Sequence, residues 1–358
     1  MSKLFILLLP ATCFIFTVTQ PASGEAFFQP GDPNIRYTGR VDRRGSHRVR
    51  FDWSYITIET RFEGTSCSIG LNAFHDIFSV FIDGEFSHRF TTDTLPQRYL
   101  LARGLRDTVH HLLITKRYET NRRSTECTGL YLDDNRRLLP PPLRPPNRIE
   151  FIGASSLLGY GNESPKSKCD SVHNFSNTYF SYGPVAARLL DAECSVLAIT
   201  RRGMVRNYHS PYIASFRPFQ YYYRSTLWND SLGPKWNCAS WVPQVIVITL
   251  GINDFSTRPY PTGALFLNRT FAFTRELYRL YPHVHIVLLS PPRDPLQSLM
   301  RQFVERDRRE GNKAISFLAY EKIPDWHRGC NWHPNVKAHK KIAEKLVDHI
   351  RPLLGTPR

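Results

Sequence analysis

Five of the ten residues at 138–147, LLPPPLRPPN, are prolines. Proline fixes φ and has no backbone N–H, so this stretch can continue neither a helix nor a central strand. A segment of this kind forms a stiff, extended linker. The sequence follows different patterns on its two sides, which predicts two domains, at 33–138 and 148–356, joined by a linker at 139–147.

The region before the linker has the pattern of an all-β domain. Short runs rich in β-branched and aromatic residues alternate with turn residues, among them Asp83-Gly84, a strong hairpin signal. These runs lie at 55–62, 66–74, 78–86, 110–118 and 128–134. A series of short strands without a helical period predicts a β-sandwich or jelly roll.

The region after the linker alternates strands with helices. Continuous apolar runs, typical of strands buried on both faces, lie at 149–153, 194–199, 244–251 and 285–290. Helical patterns lie at 179–190, 265–280, 296–309 and 336–354. This alternation predicts a three-layer α/β domain with a parallel sheet.

The first 24 residues have the features of a secretory signal peptide. A positive start is followed by the short apolar run LFILLLPATCFIFTV and by small residues up to Gly24. The alternative is a membrane anchor, but Pro10 interrupts the run, which falls short of the roughly 20 residues that a span needs. We therefore expect a secreted protein.

Export would remove Cys13 and leave six cysteines. They are Cys67, Cys127, Cys169, Cys194, Cys238 and Cys330. An even number in an oxidising compartment favours disulfides, although the sequence does not give their pairing. Sequons at Asn162, Asn174, Asn229 and Asn268 are glycan acceptors if the host is eukaryotic.

The chain is strongly basic, with a net charge of +16 and a pI near 9.7. The basic residues are spread in pairs such as Arg43-Arg44 and Arg136-Arg137, without the basic tail or helix of a nucleic-acid-binding protein. We expect no nucleic-acid partner. Attraction to acidic polysaccharide or a cell wall is one explanation for an exported protein, and a merely basic solvated surface is the other.

Polar residues follow the ends of the predicted parallel strands. Ser155, Gly203 and Asn253 follow three of them, and His333 precedes the last helix. Ligands of open parallel sheets bind beyond the carboxyl ends of the strands. A serine nucleophile, a histidine base, and amide donors for an oxyanion are the parts of a hydrolase site. Taken singly, each residue is more often a helix cap, a turn or a solvated side chain.

Four segments in this order carry a resemblance. They are IEFIGASSLLGYGN (149–162), ITRRGMVRNY (199–208), ITLGINDF (248–255) and NWHPNVKAHKKIAEKL (331–346). They resemble the four blocks of the SGNH, or GDSL, hydrolases. Together with IRYTGR and VFIDGE in the β region, they resemble carbohydrate esterase family 2. The resemblance implies an N-terminal jelly roll joined to a flavodoxin-like SGNH domain.

The resemblance also implies roles for individual residues. Ser155 would be the nucleophile and His333 the general base. The backbone N–H groups of Ser155 and Gly203 and the side chain of Asn253 would donate to the oxyanion. No metal or organic cofactor is expected.

Two positions depart from the usual SGNH pattern. Ala154 stands where an aspartate normally precedes the nucleophile, and Cys330 stands where most members carry the acid of the triad. Family 2 enzymes are similar in using a Ser–His dyad with a backbone carbonyl. We therefore predict that the carbonyl of Asn331 orients His333, with Asp325 as the weaker candidate.

Trp332, beside the histidine, is predicted to flank the cleft and bind substrate. The aromatic stretch at 208–228 either lines a sugar cleft or packs a loop onto the domain. His339 is expected to be structural, and Asp254 to cap a helix or brace its loop. The strand dipeptide His110-His111 need not bind metal. The β domain either binds carbohydrate or walls the cleft.

The resemblance implies a secreted serine esterase that removes O-acetyl groups from polysaccharide or oligosaccharide. We further expect a monomer without stable membrane insertion. One alternative is a non-catalytic carbohydrate- or wall-binding protein on the same fold, which Ala154 and Cys330 favour. Another alternative is an SGNH esterase that acts on lipid or aryl esters. The lack of a long apolar lid-like segment in the sequence disfavours a lipase.

Overall fold

The computed structural model of the chain describes residues 24–45, 47–120 and 122–354. The predicted signal peptide, including Cys13, lies outside the described residues except for Gly24. No helix of the described segments is both long and apolar enough to cross a bilayer.

The N-terminal region forms two antiparallel sheets. The strands are β1 Glu25–Phe28, β2 Arg36–Thr38, β3 Asp42–Gly45, β4 Arg48–Phe51, β5 Thr57–Gly64, β6 Cys67–Asn72, β7 Ile77–Ile82, β8 Glu85–Thr91, β9 Gln97–Ala102, β10 Thr108–Lys116, β11 Thr125–Asp133 and β12 Leu138–Leu139. One sheet has the order β3-β4-β11-β6-β9, with β1 on β11. The other has the order β12-β5-β10-β7-β8, with β2 on β5. The predicted all-β domain is thus confirmed, and its first strand lies ahead of residue 33.

The turn between β7 and β8 shows how local sequence sets the pairing. Asp83 and Gly84 both have positive φ, 53° and 88°. Two successive residues of this kind give the turn whose twist matches a two-residue hairpin. The turn brings β7 and β8 into an antiparallel pair with Ile82 opposite Glu85.

The C-terminal region is a five-stranded parallel sheet covered by helices. Its strands are β13 Asn147–Gly153, β14 Ala192–Ala198, β15 Val245–Ile248, β16 His285–Ser290 and β17 Ile315–Ala319. The α-helices are α1 Val172–Phe175, α2 Tyr182–Leu189, α3 Gln220–Tyr223, α4 Gly263–Leu280, α5 Leu296–Arg309 and α6 Val336–Ile350. Short 3-10 helices lie at Thr178–Phe180, Cys238–Ser240, Asp325–His327, Cys330–Trp332 and Arg351–Leu353.

Successive side chains of a central strand enter different layers of this domain. On β15, Val245 and Val247 belong to a core cluster with α2 and α6, whereas Ile246 and Ile248 belong to a cluster with α4 and α5. A strand buried on both faces needs apolar residues at every position. This arrangement confirms the predicted three-layer α/β fold.

The strand order β14-β13-β15-β16-β17 creates a crevice beside β13. The chain passes from β13 to β14 on one side and then crosses to β15 on the other side. Ligands of open α/β sheets bind at this switch point, beyond the carboxyl ends of the strands. The loops that follow β13, β14 and β15 therefore meet there.

The two domains pack against each other through buried contacts. The guanidinium of Arg40, which is 1% exposed, lies 3.3 Å from the carboxylate of Glu150 on β13. Trp53 donates from its indole nitrogen to the carbonyl of Thr226 at 3.1 Å. One core cluster includes residues of both domains, among them Phe51 and Tyr223. The β-sandwich is therefore part of the same packed unit as the parallel sheet.

Candidate active site

Ser155 and His333 meet at the switch point. Ser155 lies two residues beyond the end of β13, and His333 precedes α6, whose N-cap is Asn335. The serine Oγ lies 2.9 Å from Nε2 of His333. The other ring nitrogen, Nδ1, lies 3.1 Å from the carbonyl oxygen of Asn331. A carbonyl can only accept, so Nδ1 carries the proton and Nε2 is the acceptor for the serine hydroxyl.

No carboxylate of the described residues hydrogen-bonds or pairs with the His333 ring. Asp325, the weaker candidate, lines the same cavity but forms no ion pair with this histidine. Burial lowers the pKa of His333, and the backbone contacts of Asn331 and Cys330 act in the opposite direction. The Arg328 charge lowers the pKa further. The ring is therefore predominantly neutral near pH 7, the state a general base needs.

Cys330 has a structural role at the position where other enzymes carry an acid. It forms a disulfide with Cys169, with a Cα–Cα distance of 5.5 Å. Its N–H donates to the carbonyl of Gly161 at 3.1 Å, and the Asn331 N–H donates to Ser167 at 2.7 Å. The His333 loop is thereby tied to the loop that follows the nucleophile.

The disulfide expected from the cysteine count is thus present, and within the described residues it is the bond between Cys169 and Cys330. The other four cysteines, Cys67, Cys127, Cys194 and Cys238, are free and buried. Each packs within the core as a small apolar side chain.

Two successive residues with positive φ shape the segment before the histidine. Asn331 has φ 49° and Trp332 has φ 63°. Asparagine tolerates this left-handed region better than most residues. The Asn331 side chain also donates to the hydroxyl of Tyr160 at 3.1 Å, and the Tyr160 ring lies 4.3 Å from the His333 ring. Tyr160 is thus a further site residue; it lies in the GYGN motif but was not singled out from the sequence.

The predicted oxyanion donors differ in their availability. The side chain of Asn253 lines the cavity and donates one N–H to the carbonyl of Arg202 at 2.8 Å, which leaves its second N–H for a ligand. The N–H of Gly203 donates to Oδ1 of Asn207 at 3.2 Å. If the Gly203 N–H donates to an oxyanion, it must either divide its hydrogen bond between the oxyanion and Asn207 or give up the bond to Asn207.

Gly203 belongs to a loop held by Asp254. The buried Asp254 carboxylate accepts from the N–H groups of Met204, Val205 and Arg206 at 2.9, 2.6 and 2.8 Å. Burial raises the pKa of Asp254, and these N–H groups oppose the rise. A Cβ at Gly203 would overlap this carboxylate and the Arg206 carbonyl, so the position requires glycine. Asp254 therefore braces a loop, one of the two roles expected for it, but the braced loop is the one after β14 and not its own.

A cavity of about 900 Å³ opens over these residues. Its lining includes Ser155, Asn253, His333 and Trp332, and Trp332 is 60% exposed at its mouth. Both interpretations of the aromatic stretch at 208–228 are correct, each for a different part of it. Tyr208 lines the cavity, whereas Phe219, Tyr222, Tyr223 and Leu227 are buried and pack the segment into the core.

The remaining histidines of interest are structural. His339 is fully buried, and burial lowers its pKa to about 3. His110 pairs with Asp83 at 2.7 Å and His111 with Glu59 at 2.8 Å. The described residues contain no cluster of three or more histidine, cysteine or acidic side chains placed to hold a metal ion.

The four sequons differ in exposure. Asn174, Asn229 and Asn268 are exposed, whereas Asn162 is 1% exposed. The Asn162 side chain donates to the carbonyl of Asn177 at 2.9 Å and accepts from its N–H at 3.0 Å. The folded chain offers no room for a glycan at Asn162, so that predicted acceptor is wrong.

The β-sandwich followed by a five-stranded parallel sheet is an SGNH-type fold with an N-terminal β domain. Residues 37–142 match the family model of the carbohydrate esterase 2 N-terminal domain. The chain is thus related to the family 2 carbohydrate esterases, which confirms the resemblance drawn from the sequence.

Individual relatives support this relationship. Cellulase/esterase CelE of Acetivibrio thermocellus is 29% identical over 336 residues, and the match spans 90% of this chain but only 40% of that protein. An acetylxylan esterase / glucomannan deacetylase of Cellvibrio japonicus is 26% identical over 323 residues, 85% of this chain and 86% of that protein. A family two carbohydrate esterase from Clostridium thermocellum, solved in complex with cellohexaose, is similar with a TM-score of 0.85 and 28% identity, covering 90% of this chain and 99% of that one.

Proposed function

We propose that the protein is a secreted serine esterase that removes O-acetyl groups from polysaccharide or oligosaccharide. The observation that carries this proposal is the hydrogen-bonded series Ser155–His333–Asn331 carbonyl, with distances of 2.9 and 3.1 Å, on the floor of an open cavity. A serine within hydrogen-bond reach of an oriented neutral histidine is the arrangement that activates a nucleophile. The names of the relatives point to acetylated carbohydrate as the substrate.

In the first step, Ser155 Oγ attacks the acetyl carbonyl carbon while its proton passes to Nε2 of His333. The C=O bond becomes a C–O⁻ bond. The Ser155 N–H and the remaining N–H of the Asn253 side chain support that oxyanion, with Gly203 as a third donor. His333 then gives the proton to the sugar oxygen as the C–O ester bond breaks, which leaves an acetyl-serine.

In the second step, water attacks the acetyl-serine while His333 takes a proton from it; His333 then returns that proton to Ser155 Oγ as the Oγ–acetyl bond breaks, and acetic acid leaves and ionises to acetate. The Asn331 carbonyl keeps the imidazole in the same tautomer through both steps because it accepts from Nδ1–H. It carries no full negative charge, so it stabilises the transient imidazolium less than an aspartate would.

The proposal is tested by acetate release from acetylated xylan and glucomannan oligosaccharides and from a small neutral acetyl ester. We expect turnover by the natural chain and a loss of roughly 10⁴-fold or more in kcat for Ser155→Ala. Ser156→Ala is the matched control, because this neighbouring serine forms no side-chain bond with His333; its turnover is expected to stay within about threefold.

Retained turnover in Ser155→Ala would overturn the mechanism. Glycan binding by a folded natural chain that releases no acetate from any of these substrates would establish the non-catalytic carbohydrate-binding alternative. Turnover of lipid or aryl esters with none on acetylated saccharides would establish the other alternative.

We propose export from the signal-like sequence at 1–24 and from the Cys169–Cys330 disulfide, since disulfides persist in oxidising compartments. The test is expression of the full chain and N-terminal sequencing of protein from the medium. A start near Glu25 is the expected result. A chain that stays in the cell with Met1 intact would contradict export.

A further inference from the structure

Cationic side chains surround the candidate active site. Five of the residues that line its cavity are basic, and they come from three separate loops. They are Arg201, Arg202, Arg293, Lys322 and Arg328. Asp325 is the one carboxylate in the described lining. The walls of the cavity therefore carry a large excess of positive charge.

These five cations, which are exposed or half-buried, form no ion pair with any described residue, unlike the buried Arg40 and Arg117. Arg40 pairs with Glu150, and Arg117 pairs with Glu163. The nearby carboxylate of Glu119 instead accepts from the N–H of Thr200 at 2.8 Å. None of the five thus has a carboxylate of the described residues within ion-pair distance, although Glu119 and Arg202 still interact through their charges.

Two of the arginines are also held in place. Arg328 donates to the carbonyls of Trp332 and Ile323 at 3.0 and 2.9 Å, which fixes its guanidinium beside the histidine loop. Arg202 lies over the ring of Tyr222 at 5.0 Å. A positioned guanidinium that keeps its full charge is suited to carboxylate or sulfate recognition.

Arg201 occupies an unusual backbone position next to the site. It lies three residues beyond the end of β14 and has φ 66°, a left-handed conformation that non-glycine residues seldom adopt. Its carbonyl accepts from the N–H of Tyr208 at 2.8 Å, which holds the turn. Its side chain is exposed and lines the cavity. Strained backbone of this kind is concentrated at functional sites.

We propose that these cations select acetylated glycans that carry anionic groups near the ester, either uronic-acid carboxylates or sulfate esters. The inference rests on the proposed esterase function and narrows its substrate class. A cleft lined by one sign of charge concentrates ligands of the opposite sign and raises their association rate. A neutral acetylated glycan gains nothing from this field.

The test compares kcat/KM on oligosaccharides of one length and acetyl content: a neutral series, a series bearing uronic acids and a series bearing sulfate. We expect kcat/KM to be about tenfold higher for at least one anionic series in about 20 mM salt, and the advantage to shrink several-fold in about 200 mM salt. The anionic series that shows the advantage identifies the recognised group.

Charge-neutral variants assign the effect to the cavity. Arg201→Gln and Lys322→Gln are expected to lower the anionic-to-neutral ratio of kcat/KM by about threefold each and by about tenfold together. Arg103→Gln and Lys313→Gln are matched controls, since both residues are exposed cations without ion pairs that do not line the cavity. They remove the same net charge and should leave the ratio unchanged.

Equal kcat/KM for neutral and anionic series would overturn the inference, as would equal effects of the cavity and control variants. If none of the series is hydrolysed, that result refutes the proposed esterase function but not the preference for anionic glycans. Affinities of the Ser155→Ala chain for the deacetylated neutral and anionic oligosaccharides then decide the inference, and equal affinities would refute it.

Discussion

A backbone oxygen takes the place of a carboxylate beside His333. The Asn331 carbonyl fixes which ring nitrogen carries the proton, and burial of the ring favours the neutral imidazole. The missing negative charge has a second effect. A carboxylate would raise the pKa of the histidine, whereas a carbonyl does so much less. His333 is therefore neutral, and able to accept the serine proton, at a lower pH than the histidine of a full Ser–His–Asp triad.

The pH dependence of kcat/KM on a neutral acetyl ester should show this effect. Only neutral His333 accepts the serine proton, so activity rises with pH through the pKa of the free enzyme's histidine. Burial and the Arg328 charge lower that pKa, which places the inflection below the ordinary value of about 6.5. The measurement is a pH profile from about 4 to 8 at constant ionic strength. An inflection at or above pH 7 would show that an unrecognised negative group supports the histidine.

Asn331 offers a test of the backbone carbonyl itself. Its φ of 49° suits asparagine or glycine and strains a β-branched residue. We expect Asn331→Val to move the carbonyl away from Nδ1 and to lower kcat by roughly ten- to a hundredfold, with a smaller effect on KM. Asn331→Gly removes the bond to Tyr160 but keeps the backbone conformation, so its loss in kcat should be below about tenfold.

Circular dichroism and thermal melting of both variants separate a local effect from unfolding. Equal losses for valine and glycine, in folded proteins, would assign the effect to the side-chain bond with Tyr160 and not to the carbonyl.

The contact between Ser155 and His333 could be predicted from the sequence. Residues in the loops beyond the carboxyl ends of parallel strands lie together at one edge of the sheet. The contact with Asn331 was predicted from the resemblance to family 2, whose dyad uses a backbone carbonyl where Cys330 here replaces the usual acid. The sequence did not predict the partner of Cys330, since Cys169 lies 161 residues away in a loop without regular structure. The bond from Gly203 to Asn207 was missed because nothing in RGMVRNY shows where that amide points.

At the scale of elements, the loop after β14 and the loop after β15 depend on each other. The Asp254 carboxylate on one loop accepts three N–H groups of the other. Consecutive N–H groups without such an acceptor would be buried and unsatisfied, because Met204, Val205 and Arg206 are themselves buried. The carboxylate thereby places Gly203 next to Asn253.

Asp254→Ala should therefore destabilise the fold and impair the site together. We expect a loss of about 3 kcal/mol or more in the free energy of unfolding, since each unsatisfied buried donor costs about 1–3 kcal/mol. Asp254→Asn keeps one acceptor oxygen and should lose less than half as much. Urea unfolding and kcat on a neutral ester are the two measurements. Near-native stability of the alanine variant would mean that the loop does not need this carboxylate.

Regular elements with strong periodicity were predicted well. The predicted strand and helix at 285–290 and 296–309 coincide with β16 and α5, since one is continuously apolar and the other strongly amphipathic. Strands β8 and β17 were missed as separate elements. All seven residues of β8 are exposed or half-buried, so that strand has no marked apolar pattern, and the apolar run of β17 is only five residues long. Their pairing with β7 and β16 decides their conformation, and pairing is not a local property.

At the scale of the whole molecule, the β-sandwich and the parallel sheet share buried polar contacts as well as a common core cluster. The Arg40 guanidinium pairs with Glu150 and donates to the carbonyls of Tyr223 and Ser225. The hydroxyl of Tyr223 donates to the same glutamate at 2.7 Å. Both charges are about 1% exposed, so neither has water as an alternative partner. Separation of the domains would expose both charges to water and break the pair.

Arg40→Met should consequently cost about 3–5 kcal/mol in the free energy of unfolding, because it leaves the Glu150 charge buried without its cation. The double variant Arg40→Met, Glu150→Gln removes that charge too and should regain at least half of the loss.

Arg50→Met is the matched control. Arg50 also joins the domains, through Asp230 at 3.1 Å, but both side chains are more than a quarter exposed, so its loss should stay below about 1 kcal/mol. Urea unfolding of the four proteins gives these values. Equal losses for Arg40→Met and Arg50→Met, or no recovery in the double variant, would show that apolar packing alone holds the two domains together.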